Sequence, residues 1–160
     1  MKTKMRFMII NAMIACVYAA FTFICSPLSY GAIQLRFAEI LMLLAFYNRR
    51  YIPGLVVGCF FANAFSPMGV YDMIFGTLAT LLTCLAMMSV SHLLVGAFFG
   101  ALFNGAIVGS ELYFLLDLPF WINAGYVFIG EAIVLIIGAA VFKILEKNQT
   151  FMNTYIYLDK

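Results

Sequence analysis

Long apolar runs separated by short polar turns make up most of this chain. The first run, residues 7–25, follows Lys2, Lys4 and Arg6 and has no A-x-A cleavage site behind it. We therefore interpret it as a retained transmembrane helix rather than a signal peptide. Further runs predict helices at 34–47, 53–65, 72–90, 93–115 and 121–143.

The lengths of these runs match a membrane-spanning bundle. Apolar spans of about 20 residues cross a bilayer, whereas the runs at 34–47 and 53–65 reach only about 21 Å as helices. Near such short spans we expect a loop or a neighbouring segment to dip into the membrane. The pattern predicts an all-α integral membrane protein with a single domain, residues 1–160, that forms a six-transmembrane-helix bundle.

The composition narrows the class of protein further. The chain is 66% hydrophobic and only 10% charged, which leaves no room for a soluble catalytic domain. Its net charge of +2 comes from basic residues in loops rather than in one patch, so no nucleic-acid partner is predicted. The four cysteines lie in apolar runs without metal-binding spacing and are expected to behave as small hydrophobes.

The positions of the basic residues predict the orientation. With six crossings, eight of the nine Lys and Arg residues fall on the side of the N-terminus, and such loops face the cytoplasm. The eight are Lys2, Lys4, Arg6, Arg49, Arg50, Lys143, Lys147 and Lys160. We expect a multi-pass protein of the cell membrane with both termini in the cytoplasm.

Polar residues within the apolar runs gather in the predicted outer half of the bundle, although such residues are costly in lipid. The candidate substrate-binding residues are Gln34, Arg36, Glu39, Asn63, Ser66, Asp72, Asn104, Glu111 and Glu131. They predict a cavity open to the outside. Four of them are carboxylates and only one is a cation, so the bound molecule should be cationic or rich in hydrogen-bond donors.

Structural roles for some of these residues remain open. Arg36 and Glu39 have the i, i+3 spacing of a helix-stabilising pair, and the structural alternative for Glu131 is a bond to a neighbouring helix. Trp121 is expected to be an anchor at the outer membrane interface. His92 is expected at the cytoplasmic end and is given no role.

A small-residue face on the first helix contains Asn11, Ala12, Ala15 and Ala19. In a membrane such a face lets another helix approach closely. The pattern leaves open whether that helix belongs to this chain or to a partner.

Motifs for catalysis do not occur in the sequence. It contains no GxxxxGK[ST], HExxH or GxSxG, so neither an enzyme nor a bound cofactor is predicted. A repeated pair of broken helices for ion coupling is also absent. The chain is predicted to bind a small molecule and to depend on another protein for the energy of transport. The alternative is a stand-alone secondary carrier or a small channel.

Two motifs resemble the QueT family, whose members are substrate-binding (S) components of energy-coupling factor (ECF) transporters. Q-x-R-x-x-E covers Gln34, Arg36 and Glu39. P-G-L-x-x-G-C-x-x-A-N-x-x-S begins at Pro53 and ends at Ser66.

Two further pieces extend the resemblance over most of the chain. D-x-x-F-G-x-L-A-T-L begins at Asp72, and a weaker match is Gly130-Glu131. The family tends to carry a proline late in its second helix, where this chain has Ala45, and that departure concerns only the local end of the helix.

The resemblance implies a six-helix S component with cytoplasmic termini and an outward-facing pocket. Such proteins bind a micronutrient and associate with a transmembrane coupling subunit and two ATPase subunits. Ala15 and Ala19 match the A-x-x-x-A pattern by which S components dock on the coupling subunit. The implied cargo is a queuosine precursor, chiefly the 7-deazapurine 7-aminomethyl-7-deazaguanine. Its base edge donates from N1–H and the 2-amino group, and its aminomethyl group is cationic.

Overall fold

The computed structural model describes residues 2–30 and 33–157, and no strand occurs within these ranges. Its longer helices are α1 (Lys2–Ile24), α2 (Phe37–Tyr47), α3 (Ile52–Asn63), α4 (Val70–Ser89), α5 (Leu93–Leu116) and α6 (Phe120–Leu145). Single turns at Ser26–Ser29 and Arg49–Tyr51 connect the early helices, and turns at Gln149–Phe151 and Met152–Tyr157 follow α6.

Helix length and composition confirm the all-α membrane class. Within the described ranges, the four helices α1, α4, α5 and α6 are long and apolar enough to cross a bilayer. Their outer surfaces carry large apolar side chains such as Ile24, 75% exposed, and Phe114, 77% exposed, which suits contact with lipid. Helix α3 has 12 residues, and α2 is similarly short. Six crossings and cytoplasmic termini therefore stay predictions.

Small residues let the helices approach closely. A Cβ added at Gly109 of α5 would lie 2.6 Å from the Cβ of Ala124 in α6. A Cβ at Gly58 of α3 would lie 2.9 Å from the Cα of Ala15 in α1. Both distances are shorter than real Cβ contacts, so only glycine permits these crossings.

Polar side chains and the C-terminal turns close the end of the bundle that carries Arg6, Arg50 and Tyr51, which we call the basic end. The Tyr51 hydroxyl donates to the carbonyls of Tyr155 at 2.7 Å and Ile156 at 3.0 Å. The side-chain amide of Asn11 donates to the carbonyl of Arg50 at 2.9 Å. Burial raises the pKa of Tyr51 to about 12, so its hydroxyl keeps the proton that these bonds need.

The start of α2 differs from the prediction of a helix over 34–47. Residues 34–36 are not helical, and α2 begins as a 3₁₀ helix at Phe37. The Leu35 amide donates to the Leu28 carbonyl at 2.9 Å, which holds this strip in a non-helical path. Arg36 therefore lies before the helix instead of inside its first turn. The pattern of apolar residues could not predict this hydrogen bond to a preceding turn.

Smaller differences concern the other boundaries. The first helix begins at Lys2 rather than residue 7, and α3 ends at Asn63 rather than residue 65. The turn after α3 is stabilised by the Ser66 amide, which donates to the Asn63 carbonyl at 3.1 Å. Gly69 closes this turn with a φ of 55°, a conformation that glycine adopts without strain.

Candidate functional site

Most of the predicted binding residues are buried polar groups. Gln34 is partly exposed, and the remaining residues are at most 9% exposed. The buried ones are Arg36, Glu39, Asn63, Ser66, Asp72, Asn104, Glu111 and Glu131. Buried polar groups in lipid-spanning bundles need partners, so their bonds indicate what each residue does.

The first group, the inner cluster, consists of Arg36, Glu39, Asn104 and Glu131. Arg36 Nη1 lies 3.3 Å from Glu39 Oε1, and Asn104 Nδ2 donates to Glu39 Oε2 at 3.3 Å. The carboxyl group of Glu131, from α6, lies within hydrogen-bonding reach of Glu39. Arg36 Nε and Glu131 Oε1 have no partner, so the inner cluster offers one donor and one acceptor.

The second group, the rim pair, consists of Asp72 from α4 and Glu111 from α5. Their carboxyl groups lie within hydrogen-bonding reach of each other. Ser66 Oγ donates to Asp72 Oδ2 and itself accepts from the amide of Met68 at 3.1 Å. Asp72 Oδ1 and both oxygens of Glu111 have no donor. Apart from a proton that the two carboxyl groups share, the rim pair therefore presents only acceptors.

A cavity of about 240 Å³ opens at the end of the bundle opposite the basic end, which we call the pocket end. Of the nine predicted binding residues, Gln34, Ser66 and Asp72 line this cavity. Polar and apolar side chains both line it, and its polar wall includes Asp72 and Ser66. The lining residues are Tyr30, Gln34, Ser66, Pro67, Met68, Asp72, Leu112, Leu116, Leu118 and Asn123. A small concave site with a few convergent polar groups is typical of small-molecule binding.

Larger grooves exist, but they lack a set of convergent polar groups. One groove of about 710 Å³ runs along α1 and has mainly apolar walls such as Ile9, Met13 and Val17. Arg6 and Tyr155 supply the polar groups at one end of that groove. Its size reflects an apolar helix surface, so we do not take it as the substrate site.

Asn63, a predicted binding residue, packs against other helices and does not line the cavity. Its Nδ2 donates to Cys59 Sγ at 3.2 Å, and its side chain occupies the space left by Gly76 of α4. Thr80 Oγ1 also donates to Cys59 Sγ at 3.1 Å. Cys59 therefore acts as a buried acceptor between α3 and α4, beyond the apolar role that its sequence context suggested.

Tyr30 is a cavity residue that the sequence did not single out. Its hydroxyl donates to the carbonyl of Ala62 at 2.7 Å, and its ring centroid lies 5.8 Å from the Arg36 guanidinium carbon. It forms an aromatic wall beside the polar groups. The only sequence signal was an aromatic residue in the turn-rich loop between two apolar runs.

The fold and these polar groups define a helical, multi-pass membrane protein with buried carboxyl groups and a small cavity at one end. The protein-family model described as "QueT transporter" matches residues 8–147. The chain is also 30% identical to the queuosine precursor transporter QueT of Lactococcus lactis subsp. cremoris (strain MG1363) over 163 aligned positions. That alignment covers 92% of this chain and 96% of the relative. No solved structure matches the chain significantly.

The chain belongs to the QueT transporter family. The resemblance seen in the sequence motifs is thereby confirmed, and the protein is placed among membrane transporters of small molecules, a class that generally does not catalyse reactions.

Proposed function

We propose that this chain is the substrate-binding S component of an ECF-type importer for a queuosine precursor. The proposed ligand is 7-aminomethyl-7-deazaguanine or a close 7-deazapurine. The observation that carries the proposal is the set of unpartnered, buried carboxylate oxygens of Asp72, Glu111 and Glu131 at the pocket end. A ligand with several N–H donors and one positive charge satisfies such acceptors.

The orientation follows from charge. The cavity lies at the opposite end from Arg6, Arg49 and Arg50, and loops rich in basic residues favour the cytoplasmic side. We therefore propose that the pocket end faces the outside of the cell. Trp121, 84% exposed at the start of α6, lies where an outer interfacial anchor belongs.

Calorimetric titration of the purified protein tests the ligand. Adenine reverses the donor pattern of the guanine edge, and the nitrile analogue of the ligand lacks the ammonium. Each unmade bond to a buried charge costs on the order of 1.5–3 kcal/mol, or about 10–150-fold in affinity. We expect the aminomethyl compound to bind most tightly, the nitrile less tightly and adenine least. Equal affinities for all three would refute this cargo.

The coupling subunit is proposed to dock on α1, because the other helices of this chain cover little of the α1 surface. Only 11% of the α1 span is buried, compared with 39–50% in α4, α5 and α6. A shallow groove of about 250 Å³ between α1 and α3 is lined by small residues that include Ala12, Ala15 and Gly54. Ala15 also contacts Gly58 within the chain, so internal packing and docking share this face.

The docking proposal is tested with Ala19→Trp, because Ala15→Trp would also press on Gly58. In cells, Ala19→Trp should abolish uptake of the aminomethyl compound while the purified variant keeps its affinity. The matched control is Ile136→Trp, an exposed residue of α6 that should leave both unchanged. Equal loss of binding and uptake in Ala19→Trp would mean that the face packs only internally.

Purification from cells separates an S component from a stand-alone carrier. An S component should co-purify with a transmembrane subunit and two ATPase subunits, and its uptake should stop when the ATPases are inactivated. Uptake by proteoliposomes that contain this chain alone would favour the carrier.

A further inference from the structure

The inner cluster and the rim pair offer different hydrogen-bonding groups to a ligand. The inner cluster presents a free donor, Arg36 Nε, and a free acceptor, Glu131 Oε1. On the rim pair three oxygens receive no hydrogen bond from an amide or hydroxyl donor: Asp72 Oδ1, Glu111 Oε1 and Glu111 Oε2. A mixed donor and acceptor edge suits a neutral heterocycle, whereas an acceptor-only site suits a cation.

The two groups also differ in charge, because one contains a cation and the other does not. Among the side chains that the structure describes, those of residues 4–30 and 33–157, Arg36 and Glu39 form the only ion pair, so the inner cluster has its own cation. The rim pair has no Lys or Arg within ion-pair distance in that part of the chain. Its one hydrogen-bond donor is the neutral hydroxyl of Ser66. Two adjacent carboxyl groups buried without a cation are costly, and a bound cation removes most of that cost.

The rim pair reaches the cavity through Asp72. Asp72 is 4% exposed and lines the cavity, and Glu111, 1% exposed, lies directly against it. Across the cavity, Tyr30 supplies an aromatic ring, which attracts cations as well as flat heterocycles.

We infer that Asp72 and Glu111 together bind a primary ammonium group of the substrate, while Arg36 and Glu131 face the neutral edge of its heterocycle. This inference rests on the proposed function. A primary ammonium has three N–H donors and a positive charge, which suits the rim pair once its two carboxyl groups no longer share a proton. The rim pair is thereby a specificity site that distinguishes a cationic substituent on the ring from a neutral one.

The test compares two ligands that differ only at this substituent, 7-aminomethyl-7-deazaguanine and its nitrile analogue. Calorimetric titration gives both dissociation constants for the wild type and for Asp72→Asn, Glu111→Gln and Glu131→Gln. Asp117→Asn is the matched control, because Asp117 is exposed at the same end and has a φ of 52°, which asparagine tolerates.

We expect the rim variants to lose affinity for the aminomethyl compound by about 10–150-fold. The nitrile should change by less than about threefold, so the preference for the amine collapses. Glu131→Gln should weaken both ligands by similar factors and retain the preference. Asp117→Asn should match the wild type.

The outcomes separate this inference from the proposed function. If the wild type binds neither compound, the proposed function fails. If it binds both but the rim variants keep the amine preference, or weaken both ligands equally, the ammonium assignment fails and the proposed function stands. Collapse of the preference in Glu131→Gln alone would move the ammonium site to the inner cluster. Thermal unfolding of each variant shows whether an affinity loss reflects misfolding.

Discussion

The two ends of the bundle treat their buried polar groups in opposite ways. At the basic end, the Tyr51 hydroxyl donates to two carbonyl groups, and Asn48 Nδ2 donates to the carbonyl of Tyr157 at 2.9 Å. At the pocket end, Asp72 and Glu111 keep three acceptor oxygens without a donor. An unsatisfied buried group costs about 1–3 kcal/mol, and more if it is charged. Satisfied hydrogen bonds therefore stabilise the basic end, whereas the pocket end carries the unsatisfied groups that we propose to bind a ligand.

Cavity size does not indicate which of the two concave surfaces binds a substrate. The groove along α1 is about three times as large as the cavity at the pocket end, about 710 Å³ compared with 240 Å³. Yet the groove walls are mainly apolar, and lipid satisfies an apolar surface without a specific ligand. We therefore base the proposed substrate site on unsatisfied polar atoms rather than on volume.

The largest expected effect comes from removing the one cation at the pocket end. Arg36→Met leaves Glu39 buried without its ion-pair partner, and breaking a buried pair on one side costs on the order of 3–5 kcal/mol. Thermal unfolding in detergent should show a large drop in the unfolding midpoint. Arg49→Met, at an exposed site of the basic end, is the control and should change stability by less than about 0.5 kcal/mol. Similar midpoints for the two variants would contradict the ion pair.

A smaller effect is expected at the basic end. Tyr51→Phe leaves the carbonyls of Tyr155 and Ile156 without their donor and should cost about 1–3 kcal/mol. Hydrogen exchange of residues 149–157 should accelerate, while ligand affinity stays unchanged. Tyr155→Phe is the control, because its ring is 62% exposed. A loss of affinity in Tyr51→Phe would show that the two ends are not independent.

The same tyrosine predicts a pH dependence. Its pKa is raised to about 12 by burial, above the ordinary value of about 10. A raised folded-state pKa means that the stabilisation is fully present below about pH 10 and is lost as the pH rises through about 12. Tyr51→Phe should therefore lose this alkaline decline in the unfolding midpoint.

The smallest effect has the opposite sign. Glu111→Gln removes one of two adjacent carboxyl groups and supplies an amide donor, so the ligand-free protein should gain about 1 kcal/mol of stability. A higher unfolding midpoint together with weaker binding would show that the rim pair trades stability for function. A lower midpoint without ligand would mean that the pair is already satisfied in the folded protein.

The sequence predicted the helices well because each is a long apolar run bounded by polar turns. It also predicted which polar residues are buried, since a charge inside such a run has few other roles. It did not predict that Asp72 faces Glu111 while Glu39 faces Glu131, because helix crossings far apart in sequence decide those pairs.

Three features could not be predicted, each for a physical reason. The non-helical strip at residues 34–36 depends on a bond from Leu35 to the Leu28 carbonyl. Tyr30 reaches the cavity only because the turn Ser26–Ser29 directs it there. The turn Met152–Tyr157 forms against Tyr51 and Asn48, which lie far away in sequence.

The central claim, that an acceptor-rich site opens to the outside at the pocket end, is tested most directly by cysteine labelling in intact cells. Met68→Cys places a thiol in the cavity wall and Arg49→Cys places one at the basic end, both in a background with Cys16 and Cys25 changed to Ala. We expect an impermeant maleimide to label only the Met68→Cys variant, and 7-aminomethyl-7-deazaguanine to protect it. Labelling of Arg49→Cys instead, or no protection by the ligand at Met68→Cys, would contradict the account.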